Sequence, residues 1–545
     1  MNRVLTQTVV IAGAGPVGLT LAIELGQQGV NVLLADKRPK LGKLPKMERC
    51  NARTMENFRR LGIADKIRGA GLDEDMPMDV FICLENVVNP PLVHHVYPSV
   101  RTLKAEYRET HDGSTAAEPY QLISQYTLEP LLRQVAENTP GVRVVFGSEV
   151  VSFEQSGSGV VTTIRSSDGS ERLVSSDYLV GCDGASSTVR EHLGIRLEGD
   201  SLLEMRQALF RCDDLLDRIP IGKGRHYHIA DDKNSFLIVQ DDKKHFSLHA
   251  TVATDGEMSA LFEKVVGFPI EYETLYVGTW TQHLMLAERY RDGRVFLAGD
   301  SAHLVIPTGG LGMNTGHGDA VDLAWKLAAT IHGWGGSKLL DSYEAERRPI
   351  GARNIAASRK AATGRQKWRD MWRADVTDNS AAGEKIRARL RDVADVEQRW
   401  SNDLYGIELG YRYDRSPIIK YGNYSTSVRE DSLDFAYSPA VLPGTRLPNI
   451  WLDDGRPIQD VFGWEYALLV MDGEPGGVTE LAAAFARAGV PFRVYRPESK
   501  FAQSVYGDGL ILIRPDLHIA WMGDILPEDP DAVVLTVTGN NRNQS

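Results

Sequence analysis

Residues 8–36 read TVVIAGAGPVGLTLAIELGQQGVNVLLAD, and their pattern indicates the fold class. A short apolar run is followed by Gly13, Gly15 and Gly18. An amphipathic segment and a second apolar run come next, and the second run ends at Asp36. This order predicts strand, glycine turn, helix, turn and strand, which is how an α/β domain with a parallel sheet begins.

The glycines of this turn are expected to do separate things: make a tight turn, let the backbone approach a pyrophosphate, and let helix and strand pack closely. The following helix presents unpaired N–H groups and the positive end of its dipole to phosphates. Asp36 lies 23 residues after Gly13, where a carboxylate accepts hydrogen bonds from ribose hydroxyls. A lone glycine pattern also fits a packing turn, but here strand, helix, second strand and acid occur in order. The stretch therefore predicts a dinucleotide site, without deciding between FAD and a nicotinamide.

The composition is that of an ordinary globular protein with several domains. The chain has 545 residues, of which 42% are hydrophobic and 25% charged. That length suggests roughly two to four domains, and the balance excludes general disorder. The 61 basic and 73 acidic residues give a formal net charge of −12, which argues against a nucleic-acid-binding face.

Neither a membrane nor an oxidising compartment is indicated. No apolar run approaches the roughly 20 residues needed to span a bilayer, and the first residues lack a signal-peptide layout. The four cysteines form no close pair, which indicates neither a disulfide scaffold nor a metal site. We therefore expect a cytoplasmic protein with no bound metal, no nucleic-acid partner and no membrane partner.

Two further motifs follow apolar runs. The first is DYLVGCDGASSTVR, residues 177–190, and the second is GRVFLAGDSAHLVIPTGGLGMNTGHG, residues 293–318. In the second motif a carboxylate, Asp300, stands at the end of the run, where it can bind a ribityl hydroxyl. A glycine loop then leads into a helix predicted to begin near Asn314, and such a helix start can stabilise negative charge on a flat ring system.

These three motifs resemble those of the class A (single-component) FAD-dependent aromatic hydroxylases, specifically the phenol hydroxylase-like family. The resemblance continues through DAVDLAWKLA at 319–328 and YEAERRP at 343–349, and it covers nearly the whole chain. It implies an α/β fold class: a Rossmann-like FAD-binding domain, an α+β substrate domain with a mixed β-sheet, and a C-terminal thioredoxin-like domain. It also implies FAD as bound cofactor and NADPH or NADH as co-substrate, with no basis for choosing between the two nicotinamides.

The cofactor contacts of the family carry over to matching positions of this chain. The glycine turn would hold the FAD pyrophosphate, Asp36 the adenosine ribose and Asp300 the ribityl chain. Residues 312–314 would lie along the isoalloxazine ring. The expected cofactor-binding set is Gly13, Gly15, Pro16, Gly18, Asp36, Lys37, Arg53, Gln125, Asp183, Gly184, Asp300, Pro307, Gly310, Gly312, Met313 and Asn314.

The resemblance also implies a phenolic substrate, O2, and a flavin hydroperoxide as oxygen donor. In phenol hydroxylase, the segment that matches KMERCNARTMENFRRLG carries an acidic residue that assists phenol deprotonation, and Glu48 falls at about that place. We take Glu48, Arg49 and Tyr227 as catalytic candidates. Solvated loop charges are an equally good interpretation of Glu48 and Arg49.

The strand-rich middle of the chain is expected to form the sheet over the flavin, since its polar and apolar residues alternate as in half-buried strands. It supplies the candidate pocket residues Tyr227, His226, His228, Trp280 and His283, although an aromatic on a strand is more often a core or cross-strand contact. The expected substrate-binding set is Tyr227, Trp280, His283 and Pro307.

These assignments divide the chain into six segments. They are a first FAD-binding segment (1–80), a substrate-domain insertion (81–115), a second FAD-binding segment (116–200), the substrate-binding β-sheet (201–285), a third FAD-binding segment with a helical region (286–410), and the C-terminal domain (411–545). The C-terminal domain contains no cysteine, whereas a redox-active thioredoxin needs Cys-x-x-Cys. We expect it to be structural or to make dimer contacts, and we expect a homodimer because relatives are often dimers.

The leading interpretation is an NAD(P)H- and FAD-dependent monooxygenase that hydroxylates a phenolic ring, with aromatic-compound catabolism as its setting. A polyketide-tailoring hydroxylase or epoxidase acting on a fused-ring substrate is the enzymatic alternative. A flavin-fold protein that only binds a ligand is the non-enzymatic one, and intact Asp300 and GMNTG count against it. The substrate, the site of hydroxylation and a biosynthetic rather than catabolic pathway stay open.

Overall fold

The structure is a computed structural model that describes residues 5–40, 49–240, 243–424, 433–473 and 475–540. Three large β-sheets, each covered by helices, confirm the predicted α/β class with a separate mixed substrate sheet. No helix among the described residues is both long enough and apolar enough to cross a membrane.

The strands follow one another along the chain in this order. They are β1 (Leu5–Ala12), β2 (Val32–Asp36), β3 (Arg49–Cys50), β4 (Val80–Cys83), β5 (Val93–His95), β6 (Gln121–Leu122), β7 (Val142–Phe146), β8 (Ser148–Gln155), β9 (Val160–Ser166), β10 (Glu171–Gly181), β11 (Leu197–Arg211), β12 (His226–Ile229), β13 (Phe236–Val239), β14 (His245–Ala250), β15 (Glu273–Ala287), β16 (Arg291–Asp292), β17 (Val295–Leu297), β18 (His303–Leu304), β19 (Tyr466–Val470), β20 (Phe492–Tyr495), β21 (Leu510–Ile513) and β22 (Ile519–Gly523).

The helices are numbered in the same way. They are α1 (Pro16–Gln27), α2 (Ala52–Arg60), α3 (Ala64–Ala70), α4 (Val100–Glu109), α5 (Gln125–Asn138), α6 (Thr188–His192), α7 (Leu215–Arg218), α8 (Glu257–Val266), α9 (Leu311–Ile331), α10 (Ser337–Arg369), α11 (Ala381–Glu397), α12 (Tyr405–Leu409), α13 (Val478–Arg487), α14 (Ala502–Tyr506) and α15 (Pro530–Val537). Short 3-10 turns lie at Gly299–Ser301, Ala374–Thr377, Gln398–Ser401 and Ile458–Val461.

The first sheet has the order β16–β17–β10–β1–β2–β7, and β8 and β9 extend it beside β10. Its central strands are parallel, with Ala12 opposite both Ala35 and Gly181. The core of β1 is fully buried, as expected for a parallel strand covered on both faces. The parallel strands therefore end at one common edge, where ligands bind in open α/β sheets.

The second sheet has the order β18–β15–β11–β14–β13–β12–β4–β5. Its pairings are antiparallel except for the parallel contact between β12 and β4, so the sheet is mixed. One face is apolar and packs on α8, with Phe210 stacked on Phe262 at a ring-centroid distance of 4.1 Å. The other face is turned towards the first sheet. Strands of this sheet also come from outside residues 201–285, and the six segment boundaries remain a prediction from the sequence.

The C-terminal sheet has the order β20–β19–β21–β22. β19 is parallel to β20 and antiparallel to β21, and β21 is antiparallel to β22. With α13 between the first two strands and α15 after the last, this is the arrangement of a thioredoxin-like core.

A buried ion cluster joins the C-terminal sheet to the long helices of the first domain. Arg514 donates to Glu346 Oε1 at 2.6 Å and to Asp516 Oδ2 at 2.5 Å, and all three side chains are buried. Lys326 on α9 donates to the same Glu346 at 2.6 Å and to Asp322 at 2.7 Å. Because these charges leave water together, the C-terminal sheet is tied to α9 and α10 by electrostatics as well as by apolar packing.

Candidate active site

A cavity of about 1270 Å³ lies between the carboxyl edge of the first sheet and the open face of the second. Pockets for a single drug-sized ligand measure about 300–1,000 Å³, so this one has room for more than one molecule. Its walls come from the turns after β1, β2 and β10, from the start of α9, from the second sheet and from the last turns of α10.

The glycine turn after β1 has the form that a pyrophosphate site requires. Gly13 has φ +101°, and a Cβ there would lie 2.3 Å from the carbonyl oxygen of Cys182. A Cβ on Gly18 would lie 2.0 Å from the Gly13 oxygen, so this glycine allows helix and strand to pack closely. A Cβ on Gly15 would meet no described atom within 4 Å and would project into open space. No described side chain caps the start of α1, which leaves its first N–H groups available to an anion.

Asp36 lines the cavity at the end of β2, and its carboxylate also accepts hydrogen bonds from neighbouring residues of the protein. Its Oδ2 accepts a hydrogen bond from the Ala14 N–H at 2.7 Å, and its Oδ1 accepts from the Arg38 N–H at 2.8 Å and Arg38 Nε at 3.0 Å. Burial acts to raise the pKa of Asp36, yet these hydrogen bonds lower it below its usual value. Arg38 also lines the cavity and is not among the residues predicted from the sequence. Its position two residues after Asp36 could have indicated that it lies at the same site.

Gln125 and Lys37 line the same end of the cavity. Gln125 stands at the start of α5 and donates to Glu129 Oε1 at 2.6 Å. Lys37 is exposed at the rim.

The Asp183–Gly184 turn lines the cavity beside the glycine turn. Asp183 Oδ1 accepts from the hydroxyls of Ser187 at 2.5 Å and Ser301 at 3.0 Å, and the Gly184 N–H donates to Ser301 Oγ at 3.0 Å. Asp183 therefore joins the second and third motifs, which are far apart in the chain.

The third motif supplies the wall between the two sheets. Asp300 and Pro307 are exposed and line the cavity, as do Gly312 and Met313. The helix begins at Leu311, earlier than the predicted Asn314, because Gly310 with φ +64° turns the chain into it. No described side chain caps this helix start, so its N–H groups are open to the cavity.

Asn314 does not line the cavity, and its side chain fastens the helix start to β3. It donates to the carbonyl oxygens of Arg49 at 3.0 Å and Gly310 at 2.6 Å, and it accepts from the Asn51 N–H at 2.9 Å. The Asn314 side chain therefore lies behind the wall, and the expectation that residues 312–314 lie along the ring stays a prediction for the Asn314 backbone.

His303 has a structural position. Its Nε2 bonds Asp319 Oδ2 at 2.7 Å, and both residues are fully buried. The same Asp319 oxygen accepts from the Gly299 N–H at 3.1 Å, and Arg347 Nε donates to the other oxygen at 2.9 Å. These bonds hold the turn that presents Asp300 to the cavity.

Of the catalytic candidates near residue 50, Glu48 lies outside the described residues. Arg49 lines the cavity and is buried, and its Nη2 donates to Glu408 Oε1 at 2.5 Å and to the Gly309 oxygen at 3.1 Å. Arg53 lies away from the cavity, where it pairs with Glu56 at 3.3 Å and donates to the Asp516 oxygen at 3.1 Å. The expectation that Arg53 contacts the cofactor is therefore corrected: its guanidinium is used to hold α2 against the C-terminal domain.

Tyr227 is also placed elsewhere than expected. It is fully buried on the apolar face of the second sheet, stacked on Phe81 with centroids 5.1 Å apart. Its hydroxyl donates to the Gly222 oxygen at 2.8 Å and accepts from the Gly224 N–H at 2.9 Å, and burial raises its pKa. Its neighbours His226 and His228 line the cavity instead, because adjacent strand residues point to opposite faces. Tyr227 is thus a core residue and not a substrate contact.

Trp280 and His283 do line the cavity. Trp280 packs on a buried apolar patch formed by Met205 on β11 and by Phe236 and Ile238 on β13, and all three line the cavity. His283 lies at the rim, with Nδ1 2.9 Å from Ser201 Oγ. The second sheet therefore offers an apolar platform made of Met205, Phe236, Ile238 and Trp280, with polar side chains such as Gln207 and His249 beside it.

Of the expected cofactor set, the structure brings most members together around one cavity. Those that line it are Gly13, Gly15, Pro16, Asp36, Lys37, Gln125, Asp183, Gly184, Asp300, Pro307, Gly310, Gly312 and Met313. Two uncapped helix starts, an open glycine and a strand-end carboxylate are the features that a pyrophosphate, a ribose and a flat ring require, so these residues fit FAD.

Comparisons with known proteins agree with this geometry. A model of the FAD binding domain family matches residues 6–358, and a model of the aromatic-ring hydroxylase C-terminal family matches residues 440–539. The chain is 31% identical to the FAD-dependent monooxygenase apdD of Emericella nidulans over 98% of this chain and 90% of that relative. It is 30% identical to 4-methyl-5-nitrocatechol 5-monooxygenase of a Burkholderia species over 96% of each chain.

A solved structure of similar form is that of the rebeccamycin biosynthetic enzyme RebC with reduced flavin. The two superpose with a TM-score of 0.88 and 31% identity, over 99% of this chain and 100% of that one.

Proposed function

The chain belongs to the FAD-dependent aromatic-ring hydroxylases, and from that membership we propose that it hydroxylates a phenolic ring, with NADPH or NADH and O2 as co-substrates. The observation that supports this most is one continuous cavity with dinucleotide-binding features at one end and an apolar platform at the other. When bound, FAD supplies the redox chemistry: it accepts a hydride from the nicotinamide and activates O2 for transfer to an electron-rich ring.

The residues of the chain are proposed to bind and orient the cofactor. The start of α1 and open Gly15 would take the pyrophosphate, and Asp36 the adenosine ribose. The uncapped start of α9 would point its N–H groups at the ring, where they favour negative charge.

Arg49 is proposed as a positioning residue. Its guanidinium is engaged by Glu408 and by the Gly309 carbonyl, and so holds the glycine loop that leads into α9. It is therefore not placed to act as a base. Its contribution would be to keep that loop in the geometry that the ring requires.

The platform is proposed to orient the substrate ring and to keep water away from it. Met205, Phe236 and Ile238 are at most 9% exposed, and Trp280 packs against them. An apolar, water-poor surface of this kind favours transfer of oxygen to the ring over its loss to solvent.

A fused-ring phenol is the second candidate substrate class, and the width of the sheet face that lines the cavity favours it. The cavity-lining residues of the second sheet come from β15, β11, β14, β13 and β12. Four strand spacings of about 4.8 Å make a surface about 19 Å wide, which exceeds a single six-membered ring. A monocyclic substrate suits the catabolic setting, and a fused-ring substrate suits a biosynthetic one.

The test is turnover of the purified, flavin-loaded protein with a panel of monocyclic and fused-ring phenols. We expect one class to stimulate NAD(P)H oxidation, with hydroxylated product equal to the nicotinamide consumed. Flavin that is reduced and reoxidised without product from any phenol would reject hydroxylation, and bound flavin that no nicotinamide reduces would favour the non-catalytic alternative.

We also propose, from the family resemblance, that the protein is a homodimer and is located in the cytoplasm. Light scattering of the holoprotein tests the first: a mass of about 120 kDa, twice the 60.3 kDa of one chain, is expected.

A further inference from the structure

The charges that line the cavity are unevenly distributed. Every acidic lining residue belongs to the first sheet and its helices, and these residues are Asp36, Glu129, Glu149, Asp183 and Asp300. The lining at the end of the second sheet and α10 contains arginines and, among the described residues, no carboxylate. These arginines are Arg225, Arg359, Arg365 and Arg369.

Arg369 is a buried cation in this lining that forms no ion pair within the described parts of the chain. It is 7% exposed, and its Nη2 reaches only the Ser235 carbonyl oxygen, at 3.5 Å. Its Nε is buried and finds no acceptor among the described residues. The guanidinium lies 5.2 Å from the ring of Trp368 and 5.9 Å from that of Phe236. Burial and the charge of neighbouring Arg365 lower the pKa of Arg369 to about 9, against the opposing charge of Asp231, which does not reach ion-pair distance.

Arg225 is the second such cation, on the chain just before β12. It is 7% exposed, and its Nη2 donates to the neutral Asn402 Oδ1 at 3.3 Å. Its Nε is buried without an acceptor in the described structure. Arg359, by contrast, is paired with Asp200 at 2.7 Å on an exposed surface and needs no further partner.

His228, on the cavity face of β12, is near enough to Arg225 and Arg369 for their charges to act on it. Its pKa is held well below the usual value by burial and by the positive charge of the surrounding arginines. The imidazole is therefore neutral at physiological pH and does not add to the charge. Its Nε2 lies 3.1 Å from Gln398 Nε2.

Two buried guanidiniums with no carboxylate at ion-pair distance among the described residues are costly unless something supplies the opposite charge at close range. Because both line the open cavity, a ligand can do so. We infer that this end of the cavity binds a carboxylate substituent of the ring substrate, held by Arg225 and Arg369 beside the apolar platform. A planar guanidinium matches a carboxylate in shape and charge and forms short, strong hydrogen bonds with it.

The inference deepens the proposed function and rests on it, since it names the substrate class of the same site. The ring would lie on the Phe236–Trp280 platform, with the hydroxylated edge towards α9 and the carboxylate towards the end of α10. Arg365, in the same lining, would add to the positive potential that the carboxylate meets.

The test measures binding to the FAD-loaded protein through the change in the flavin absorption spectrum, with no turnover. The probes are 6-hydroxy-2-naphthoate, its methyl ester and 2-naphthol, which share the ring and hydroxyl but differ in charge. The acid is expected to bind at least about tenfold more tightly than either neutral probe, as one charged hydrogen bond can provide.

Variants of Arg225 and Arg369 test whether these two arginines cause the tighter binding of the acid. In Arg369→Met or Arg225→Met, affinity for the acid should fall by about tenfold or more while affinity for the ester changes by less than about threefold. Arg359→Met is the matched control, because it removes a guanidinium that Asp200 already pairs, and the preference should survive it. Arg369→Met should also not lower the melting temperature of the ligand-free holoprotein, since it removes a buried cation that lacks a partner.

Equal binding of acid and ester by the wild type overturns the inference, and so does a preference that persists in the Arg225→Met/Arg369→Met double variant. A lower melting temperature for Arg369→Met with unchanged preference assigns that residue a structural role and also overturns it. The binding test is independent of hydroxylation. Preference for the acid without any hydroxylated product would reject the proposed function alone, and equal binding with hydroxylation of both would reject the carboxylate site alone.

Discussion

Arg49 and Glu408 lie 359 positions apart in the chain and form a buried ion pair, with Nη2 of Arg49 2.5 Å from Oε1 of Glu408. Burial raises the pKa of Glu408, and the Arg49 charge opposes that rise. The same guanidinium donates to the Gly309 carbonyl at 3.1 Å. One side chain therefore links the strand after the dinucleotide unit, helix α12 and the loop that begins α9, and all three meet at the candidate flavin site.

Arg49→Met should destabilise the protein by about 3–5 kcal/mol, because it leaves the Glu408 carboxylate buried without its cation. The double variant Arg49→Met/Glu408→Leu should lose less than the sum of the two single changes. Denaturant unfolding of the four proteins measures this coupling. Additive losses would contradict a direct pair.

Gly13 and Gly15 should respond differently to alanine. Gly13→Ala should cost at least about 2 kcal/mol of stability, since φ is +101° and the Cβ would meet the Cys182 oxygen at 2.3 Å. Gly15→Ala should leave the apoprotein stable, because no described atom lies near its Cβ, yet lower FAD affinity by about tenfold or more. Apoprotein melting and FAD titration separate the two effects.

The control for these variants is Gly69→Ala on α3, an exposed helical position where a Cβ would also meet no described atom within 4 Å. It should change neither stability nor FAD affinity by more than a small amount. If Gly15→Ala binds FAD as well as Gly69→Ala does, the pyrophosphate does not lie at this turn.

The cofactor end of the site could be predicted from the sequence because its features are local. A glycine turn between a strand and a helix, or an acid at a strand end, is specified within some 30 residues and by backbone conformation. Asp36 and Gly15 are residues of this kind. The partner of Arg49 is not, since only the folded chain brings Glu408 next to it.

Tyr227 shows the limit of predicting a strand from alternation. A period of two correctly separates Tyr227 from His226 and His228, but alternation alone does not say which face meets the ligand. The two histidines are polar, and a polar face on a strand in the middle of a sheet is a signal for a cavity. That signal favours His226 and His228 as cavity residues over Tyr227, whose side chain is buried in the apolar core. The buried arginines of α10 escape prediction because a helix rich in charge is typical of a solvated surface.

His317 should make the protein less stable as the pH falls. Burial and nearby arginines lower its pKa to about 3, whereas in the unfolded chain a histidine titrates near 6.5. Between these values the unfolded state binds the extra proton, so the free energy of unfolding falls by up to about 1.4 kcal/mol per pH unit on acidification. In His317→Gln this contribution is lost, and the stability profile measured by denaturant unfolding between about pH 6 and pH 4 should be flatter by that amount.

Exposed His332, which bonds the Gln28 carbonyl at 2.8 Å, provides the control. Parallel profiles for wild type and His317→Gln would show that His317 is not held neutral.

Arg514→Met should lower the stability of the whole protein by about 3–5 kcal/mol, because Glu346 and Asp516 would lose a buried cation between the C-terminal sheet and α10. We expect the wild type to unfold in one calorimetric transition that includes the C-terminal domain. Arg487→Met breaks an exposed pair with Asp531 and should cost less than about 1 kcal/mol. Equal losses in the two variants would mean that the interface cluster does not join the domains.

Hydroxylation is tested by the reaction of the FAD-loaded protein with 18O2, NADPH or NADH, and the phenol that stimulates nicotinamide oxidation most. We expect the product to gain one hydroxyl whose oxygen carries the label, with one nicotinamide oxidised for each product molecule. A product oxygen drawn from unlabelled water, or a purified chain that neither contains nor takes up FAD, would contradict it.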